Sequence, residues 1–155
     1  MVFAPLSVGL ATRDNEALST AEFTMSIVTE VPAAASAAAL AHFQDSLAFE
    51  NDCWDVHHSL ASGQHDFVLL DVRGTEKFEA GHVAGAVDMA QRKIIGSRLD
   101  QYPSGTLFVT YCAGPHCNGA ARAAIRLAQL GRAVKIMAGG VTGWLDEGFS
   151  LQTGP

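Results

Sequence analysis

Three short, mostly apolar runs in the C-terminal part of the chain predict strands of a sheet. They span residues 67–72, 107–111 and 133–137. The run at 67–72 is typical of a strand that is buried on both faces of a parallel sheet. Residues 86–89 predict a further short strand.

Helical patterns lie between these runs. Residues 120–130 carry their polar side chains on one face, and Gly131 is placed to end that helix. Residues 76–80 predict a short helical turn. Because strands alternate with helices in short units, the pattern predicts an α/β fold with a mostly parallel central sheet flanked by helices.

The N-terminal part follows a different pattern. The hydrophobic residues among positions 1–30 recur with no sustained helical or strand period, and we interpret this segment as a loose leader. Residues 33–43 are rich in alanine and follow a proline, which favours a helix, and Asp52 is a good N-cap for a second one. We therefore expect a helical extension over residues 31–63 that forms one compact domain with a core over residues 64–155.

Composition narrows the class of protein. A chain of 155 residues with 48% hydrophobic and 17% charged residues fits one folded domain. Three cysteines are too few for a disulfide scaffold, so a reduced, cytoplasmic protein is expected. The net charge of −6 comes without a basic cluster, which argues against nucleic acid and anionic membranes as partners.

The candidate chemistry lies at Cys112, directly after the strand predicted over residues 107–111. A loop between a strand end and a helix start can direct several backbone N–H groups at one anion, and the helix dipole adds positive potential. A cysteine there is expected to be a reactive thiolate, although a small buried hydrophobic residue is the other interpretation. The loop comprises Ala113, Gly114, Pro115, His116, Cys117, Asn118 and Gly119.

Four stretches of the chain, taken together, resemble the rhodanese domain, the sulfurtransferase module. They are Leu-Leu-Asp-Val-Arg at 69–73, Phe-Glu-Ala-Gly-His-Val-Ala-Gly-Ala at 78–86, Val-Thr-Tyr-Cys at 109–112, and Gly-Gly-Val-Thr-Gly-Trp at 139–144 with Gly148. The resemblance covers the C-terminal part of the chain and not residues 1–45. It implies a three-layer rhodanese-like fold in which Cys112 carries the chemistry.

The reaction that the resemblance implies is sulfur transfer. The Cys112 thiolate attacks the sulfane sulfur of a donor such as thiosulfate, sulfite leaves, and the resulting persulfide passes its sulfur to cyanide or a thiol. No metal and no organic cofactor are implied. A protein acceptor and a homodimer stay open, as do a thiol redox sensor, a persulfide carrier and a non-catalytic binding module.

The loop departs from the common family pattern Cys-x-x-Gly-x-Arg-Ser, because it contains neither Arg nor Lys. A dianion such as thiosulfate prefers fixed positive charge, so efficient use of thiosulfate is not favoured by the loop itself. Arg73, Lys77 and His116 are the candidate substrate-binding residues. The alternative for Arg73 is a structural role, in which it pairs with Asp71 and connects the end of the strand to the loop. The alternative for Lys77 is that it is a solvated surface residue. A phosphatase would need arginine at position 118, which is Asn.

Cys117 has three interpretations. It can resolve a modified Cys112 by forming an internal disulfide, or it can be a passive residue of the loop, which we favour. A zinc site with Cys112 and His116 lacks an evident fourth ligand. His82 and Trp144 are expected to be structural.

Overall fold

The computed structural model of the protein describes residues 25–155. Contacts divide the chain into one unit that ends at Ala34 and a second unit, Ala35–Pro155. The described part of the first unit contains a single short helix, α1 (Ile27–Glu30). Residues 1–24 of the expected leader lie outside the described residues.

The second unit is built on a sheet of five strands in the order β1-β5-β4-β2-β3. All four neighbouring pairs are parallel, so the predicted α/β class with a parallel sheet is confirmed. The strands are β1 (Glu50–Asn51), β2 (Phe67–Asp71), β3 (Val87–Asp88), β4 (Leu107–Tyr111) and β5 (Ala133–Met137).

Helices flank this sheet and separate its strands along the chain. They are α2 (Ser36–Phe49), α3 (Cys53–Ala61), α4 (Thr75–Ala80), a 3₁₀ helix (Gln91–Lys93), α5 (Gly96–Leu99), α6 (Gly119–Gln129) and α7 (Gly140–Asp146). Asp52 caps α3 as predicted, since its Oδ1 accepts the backbone N–H of Asp55 at 2.7 Å. No helix among residues 25–155 is long and apolar enough to cross a membrane.

The alanine-rich helix differs from its prediction at both ends. It begins at Ser36 and runs to Phe49, because alanine and leucine sustain a helix until Glu50 becomes extended. Glu50 then pairs with Ile136 of β5, so the chain enters the sheet before α3 begins. This two-residue strand was not predicted, because its residues are polar and its only signal is the pairing itself.

The core lies on both faces of β4. Phe108 packs on one face in a cluster with Leu70 and Leu127. Val109 packs on the other face in a cluster that includes Trp144, which is buried as predicted. Alternate residues of a central strand thus supply both cores, and β4 is mostly apolar for that reason.

A buried ion pair fixes the carboxyl end of β2. The carboxylate of Asp71 is fully buried and accepts bonds from the Arg73 guanidinium at 2.6 to 3.1 Å and from the Tyr111 hydroxyl at 2.8 Å. Arg73 also donates to the carbonyl of Gly81 at 2.5 Å. These bonds join the ends of β2 and β4, beside which Cys112 lies.

Candidate active site

Cys112 is the first residue after β4, and its side chain lies against the start of α6. The residue is only 7% exposed. A Cβ atom at Gly119, the first residue of α6, would come within 2.7 Å of the Cys112 Sγ, so the sulfur occupies space that only glycine leaves free. The positive end of the helix dipole stabilises a thiolate at this place.

The loop that carries Cys112 is held from the other side by α7. The backbone N–H of Val141 donates to the carbonyl of Cys112 at 3.0 Å. The backbone N–H and the hydroxyl of Thr142 donate to the carbonyl of Ala113 at 2.9 and 3.0 Å. Val141 and Thr142 are not among the predicted site residues, although the sequence carries a signal for them in the glycine pair, Gly139 and Gly140, directly after β5.

Gly140 permits this close approach. Its φ of +57° lies in the left-handed region, and a Cβ atom there would overlap the carbonyl oxygen of Cys112. Gly114 has the same role in the loop, because a Cβ atom there would come within 2.6 Å of the Thr142 hydroxyl. Two glycines therefore let the loop and the start of α7 pack backbone against backbone.

Cys112 and Cys117 form a disulfide in this structure. They are separated by five positions, and their Cα atoms lie 6.4 Å apart. The backbone N–H of Cys117 donates to the carbonyl of Gly114 at 3.0 Å, and this turn brings Cys117 back towards Cys112. The passive position that the sequence favoured for Cys117 is therefore wrong, because spacing alone does not reveal the turn.

A pocket of about 530 Å³ lies over the loop and gathers two of the predicted substrate-binding residues. Lys77 reaches it from α4, and His116 reaches it from the loop. The remaining lining residues are Ala113, Pro115, Cys117 and Asn118. Cys112 does not line this pocket; its sulfur is bonded to that of Cys117, which does line it.

Arg73, the third candidate for substrate binding, does not line this pocket. Its guanidinium is engaged by Asp71 and Gly81, so the tie between strand end and loop is the contact observed. Burial lowers the pKa of Arg73, but the adjacent Asp71 carboxylate outweighs burial and leaves that pKa above its ordinary value. The charge of Arg73 is thus neutralised locally.

A second pocket, of about 240 Å³, reaches both cysteines from the side of β5. Apart from the two cysteines, the ionisable residue that lines this pocket is Glu50 of β1. Cys117 lines both pockets, whereas Cys112 lines only the smaller one. Cys112 is buried and Cys117 is half-buried, so Cys117 is the more accessible residue of the pair.

The remaining predicted residues have simpler environments. Asn118 occupies the N-cap position of α6, as expected, but its side chain makes no capping hydrogen bond. His82 is buried, stacks on Phe78 and lies with Nδ1 2.9 Å from the Phe78 carbonyl, so it is structural. Among residues 25–155, no group of three or more His, Cys, Asp or Glu side chains is arranged to hold a metal ion.

The sequence profile of the Rhodanese-like domain family matches residues 34–147 of the chain. The chain therefore belongs to the rhodanese-like family, and the predicted membership is confirmed. The match begins at residue 34, whereas the resemblance in the sequence does not cover residues 1–45. Because this family is generally one of sulfurtransferases, membership supports a sulfur-related role at the level of the family.

Solved structures share this fold. The BH2092 protein from Bacillus halodurans superimposes with a TM-score of 0.73 and 31% identity, over 76% of this chain and 85% of that one. The rhodanese-like domain of the Anabaena Alr3790 protein superimposes with a TM-score of 0.60 and 24% identity, over 67% of this chain and 78% of that one. At 24% identity the second comparison bears on fold alone.

One curated relative places a similar segment within a longer protein. The HTH-type transcriptional regulator Rv0324 of Mycobacterium tuberculosis is 32% identical over 90 residues, which are 57% of this chain. The chain spans only 39% of the length of that relative.

Proposed function

We propose that the protein is a sulfurtransferase that carries sulfane sulfur as a persulfide on Cys112. The observation that carries the proposal is the position of the Cys112 sulfur, at the carboxyl end of β4 and against the first residue of α6. Ligands of parallel α/β sheets bind outside the carboxyl ends of the strands. Membership of the rhodanese-like family supports the same chemistry.

The reaction proceeds by double displacement. The Cys112 thiolate attacks the outer sulfur of the donor; the new S–S bond forms as the donor's own S–S bond breaks, and sulfite leaves with the electron pair. The persulfide that results is anionic and lies where the thiolate lay. The positive end of α6 stabilises both species, which lowers the energy of the intermediate.

The donor that best suits the pocket is a small sulfur-containing anion such as thiosulfate. Lys77 supplies a positive charge opposite a loop that has none of its own, and His116 supplies a hydrogen-bond donor. The acceptor is a thiol or cyanide, and a thiol acceptor suits a reducing compartment such as the cytoplasm.

The bond between Cys112 and Cys117 supports a second candidate, thiol redox sensing. In that case a peroxide oxidises Cys112 to a sulfenate, and Cys117 displaces water to form the disulfide. A sensor needs no sulfur donor. Sulfite release from thiosulfate therefore separates the two candidates.

The test is a single-turnover measurement of sulfite. The protein is reduced, freed of reductant and mixed with excess thiosulfate, beside Cys112→Ser and Cys117→Ser variants. The proposal predicts a burst of about one sulfite per chain from the parent and from Cys117→Ser, and none from Cys112→Ser. No burst from any of the three, with Cys112 shown to be reduced by alkylation, would reject sulfur transfer from thiosulfate.

A further inference from the structure

We propose that Cys117 is the internal acceptor of the reaction, which resolves the Cys112 persulfide and releases its sulfur as hydrosulfide. The inference rests on the proposed function, because it needs a persulfide on Cys112. It assigns the protein a further activity, the reduction of sulfane sulfur to sulfide with two electrons from its own cysteine pair. The disulfide seen in the structure is the protein form that this step leaves behind.

The loop places the two sulfurs within bonding reach of each other. The Cα atoms of Cys112 and Cys117 are 6.4 Å apart, within the range that disulfides normally span. In the same structure the backbone N–H of Val141 donates to the carbonyl of Cys112, and α6 begins at Gly119. A Cβ at Gly119 would meet both sulfurs, at 2.7 and 3.3 Å, so this residue leaves room for the bonded pair.

The atoms of the step balance. The Cys117 thiolate attacks the inner sulfur of the persulfide, which is Sγ of Cys112. The bond between the two Sγ atoms forms, the bond from Cys112 Sγ to the outer sulfur breaks, and the outer sulfur leaves as hydrosulfide with the electron pair and the proton of the Cys117 thiol. The two thiols are oxidised to a disulfide, and the sulfane sulfur is reduced to sulfide.

A dithiol reductant closes the cycle. One of its thiolates attacks Cys117, the more accessible residue of the pair, and Cys112 leaves as the thiolate. That leaving group lies at the start of α6, where the helix dipole stabilises its charge. The second thiol of the reductant then attacks the mixed disulfide and frees Cys117, so the reductant ends as a disulfide.

The experiment follows one turnover with no external thiol present. Reduced parent and Cys117→Ser are each mixed with thiosulfate, and hydrosulfide release and the mass of the tryptic peptide of residues 99–122 are measured. That peptide contains both loop cysteines, whereas Cys53 falls in the peptide of residues 14–73 and serves as an internal control. The alkylating agent is added only at the end.

The parent is expected to release about one hydrosulfide per chain and to yield a 99–122 peptide about 2 Da lighter than its reduced form. Cys117→Ser is expected to release none and to hold a peptide about 32 Da heavier. A parent that keeps the added sulfur and releases no hydrosulfide would overturn the inference while leaving the proposed function intact. Absence of added sulfur in Cys117→Ser would overturn both.

Discussion

The carbonyl oxygen of Cys112 accepts the backbone N–H of Val141 at 3.0 Å. The residue that carries the proposed chemistry is thereby fixed to the start of α7 and not only to the strand that precedes it. Because the bond uses backbone atoms alone, it depends on how closely the two chains approach. Gly140 sets that distance, since a side chain there would overlap the same carbonyl.

Gly140→Ala is expected to slow sulfur uptake at Cys112 by about 100-fold, because a small displacement of a reacting group has effects of that size. The matched control is Gly148→Ala. Gly148 also has a positive φ, +80°, but a Cβ there would meet nothing within 4 Å. Gly148→Ala is expected to lose about 1 to 2 kcal/mol of stability through backbone strain, and Gly140→Ala to lose more, because its Cβ must also displace the carbonyl of Cys112. Equal rates of sulfur uptake in the two variants would contradict the proposed role of Gly140.

Asp71→Asn is expected to reduce the free energy of unfolding by about 3 to 5 kcal/mol, because it leaves the buried Arg73 guanidinium without its charge partner. Asp66→Asn, at an exposed position in the same segment, is the control and is expected to change stability by less than about 0.5 kcal/mol. Urea denaturation of the reduced proteins measures both. Similar midpoints for the two variants would show that the ion pair contributes little.

Lys77→Gln is expected to lower the second-order rate of reaction with thiosulfate by about tenfold at low ionic strength, with a smaller effect at high salt. Lys77 is exposed and lines the pocket over the loop, so its attraction for an anion is open to screening. Arg126→Gln removes the same charge from an exposed position on α6 outside this pocket and is expected to keep the parent rate. Equal losses in both variants would indicate an effect of net charge alone.

Cys53 is expected to resist alkylation in the folded protein. Burial, with smaller contributions from the Asp52 and Glu147 carboxylates, raises the pKa of Cys53 from 9.0 to about 11. At pH 8 its thiolate fraction is then about 100-fold below that of an ordinary thiol. After reduction, iodoacetamide is expected to label the 99–122 peptide, and the 14–73 peptide only in denaturant.

The same raised pKa has a consequence for stability at alkaline pH. The folded state keeps the Cys53 proton over a range in which the unfolded chain releases it, so this contribution is complete below about pH 9 and is lost as pH rises towards 11. Cys53→Ser is therefore expected to show a shallower alkaline decline in the free energy of unfolding than the parent. Parallel declines would contradict the raised pKa.

The three long strands were predictable because each is a short, mostly apolar run. Residues 107–111 and 133–137 match β4 and β5 at both ends, and β2 is one residue shorter than its prediction. β1 was not predictable, since its two polar residues are extended only because β5 offers an unpaired edge. Local pattern thus accounts for buried strands, whereas an edge strand of this length depends on its tertiary partner.

The part of the candidate site that directly follows β4 in the sequence was predictable. Cys112 could be placed because a loop after a buried strand is where parallel sheets bind ligands. The sequence offered the disulfide to Cys117 only as one of three interpretations and did not reveal the packing of Gly140 against the loop, because both depend on how the loop turns and on what packs beneath it. The geometry of Arg73 favours its structural interpretation for a similar reason, since the buried Asp71 holds its guanidinium away from the pocket.

The most direct test of the central claim is intact mass spectrometry of reduced Cys117→Ser after brief exposure to thiosulfate. This variant cannot discharge a persulfide into an internal disulfide, so the transferred sulfur stays where it arrives. We predict a gain of about 32 Da that a reductant removes and that maps to the 99–122 peptide, where Cys112 is the remaining cysteine. An unchanged mass, with Cys112 free to react with iodoacetamide, would contradict sulfur transfer from thiosulfate through Cys112.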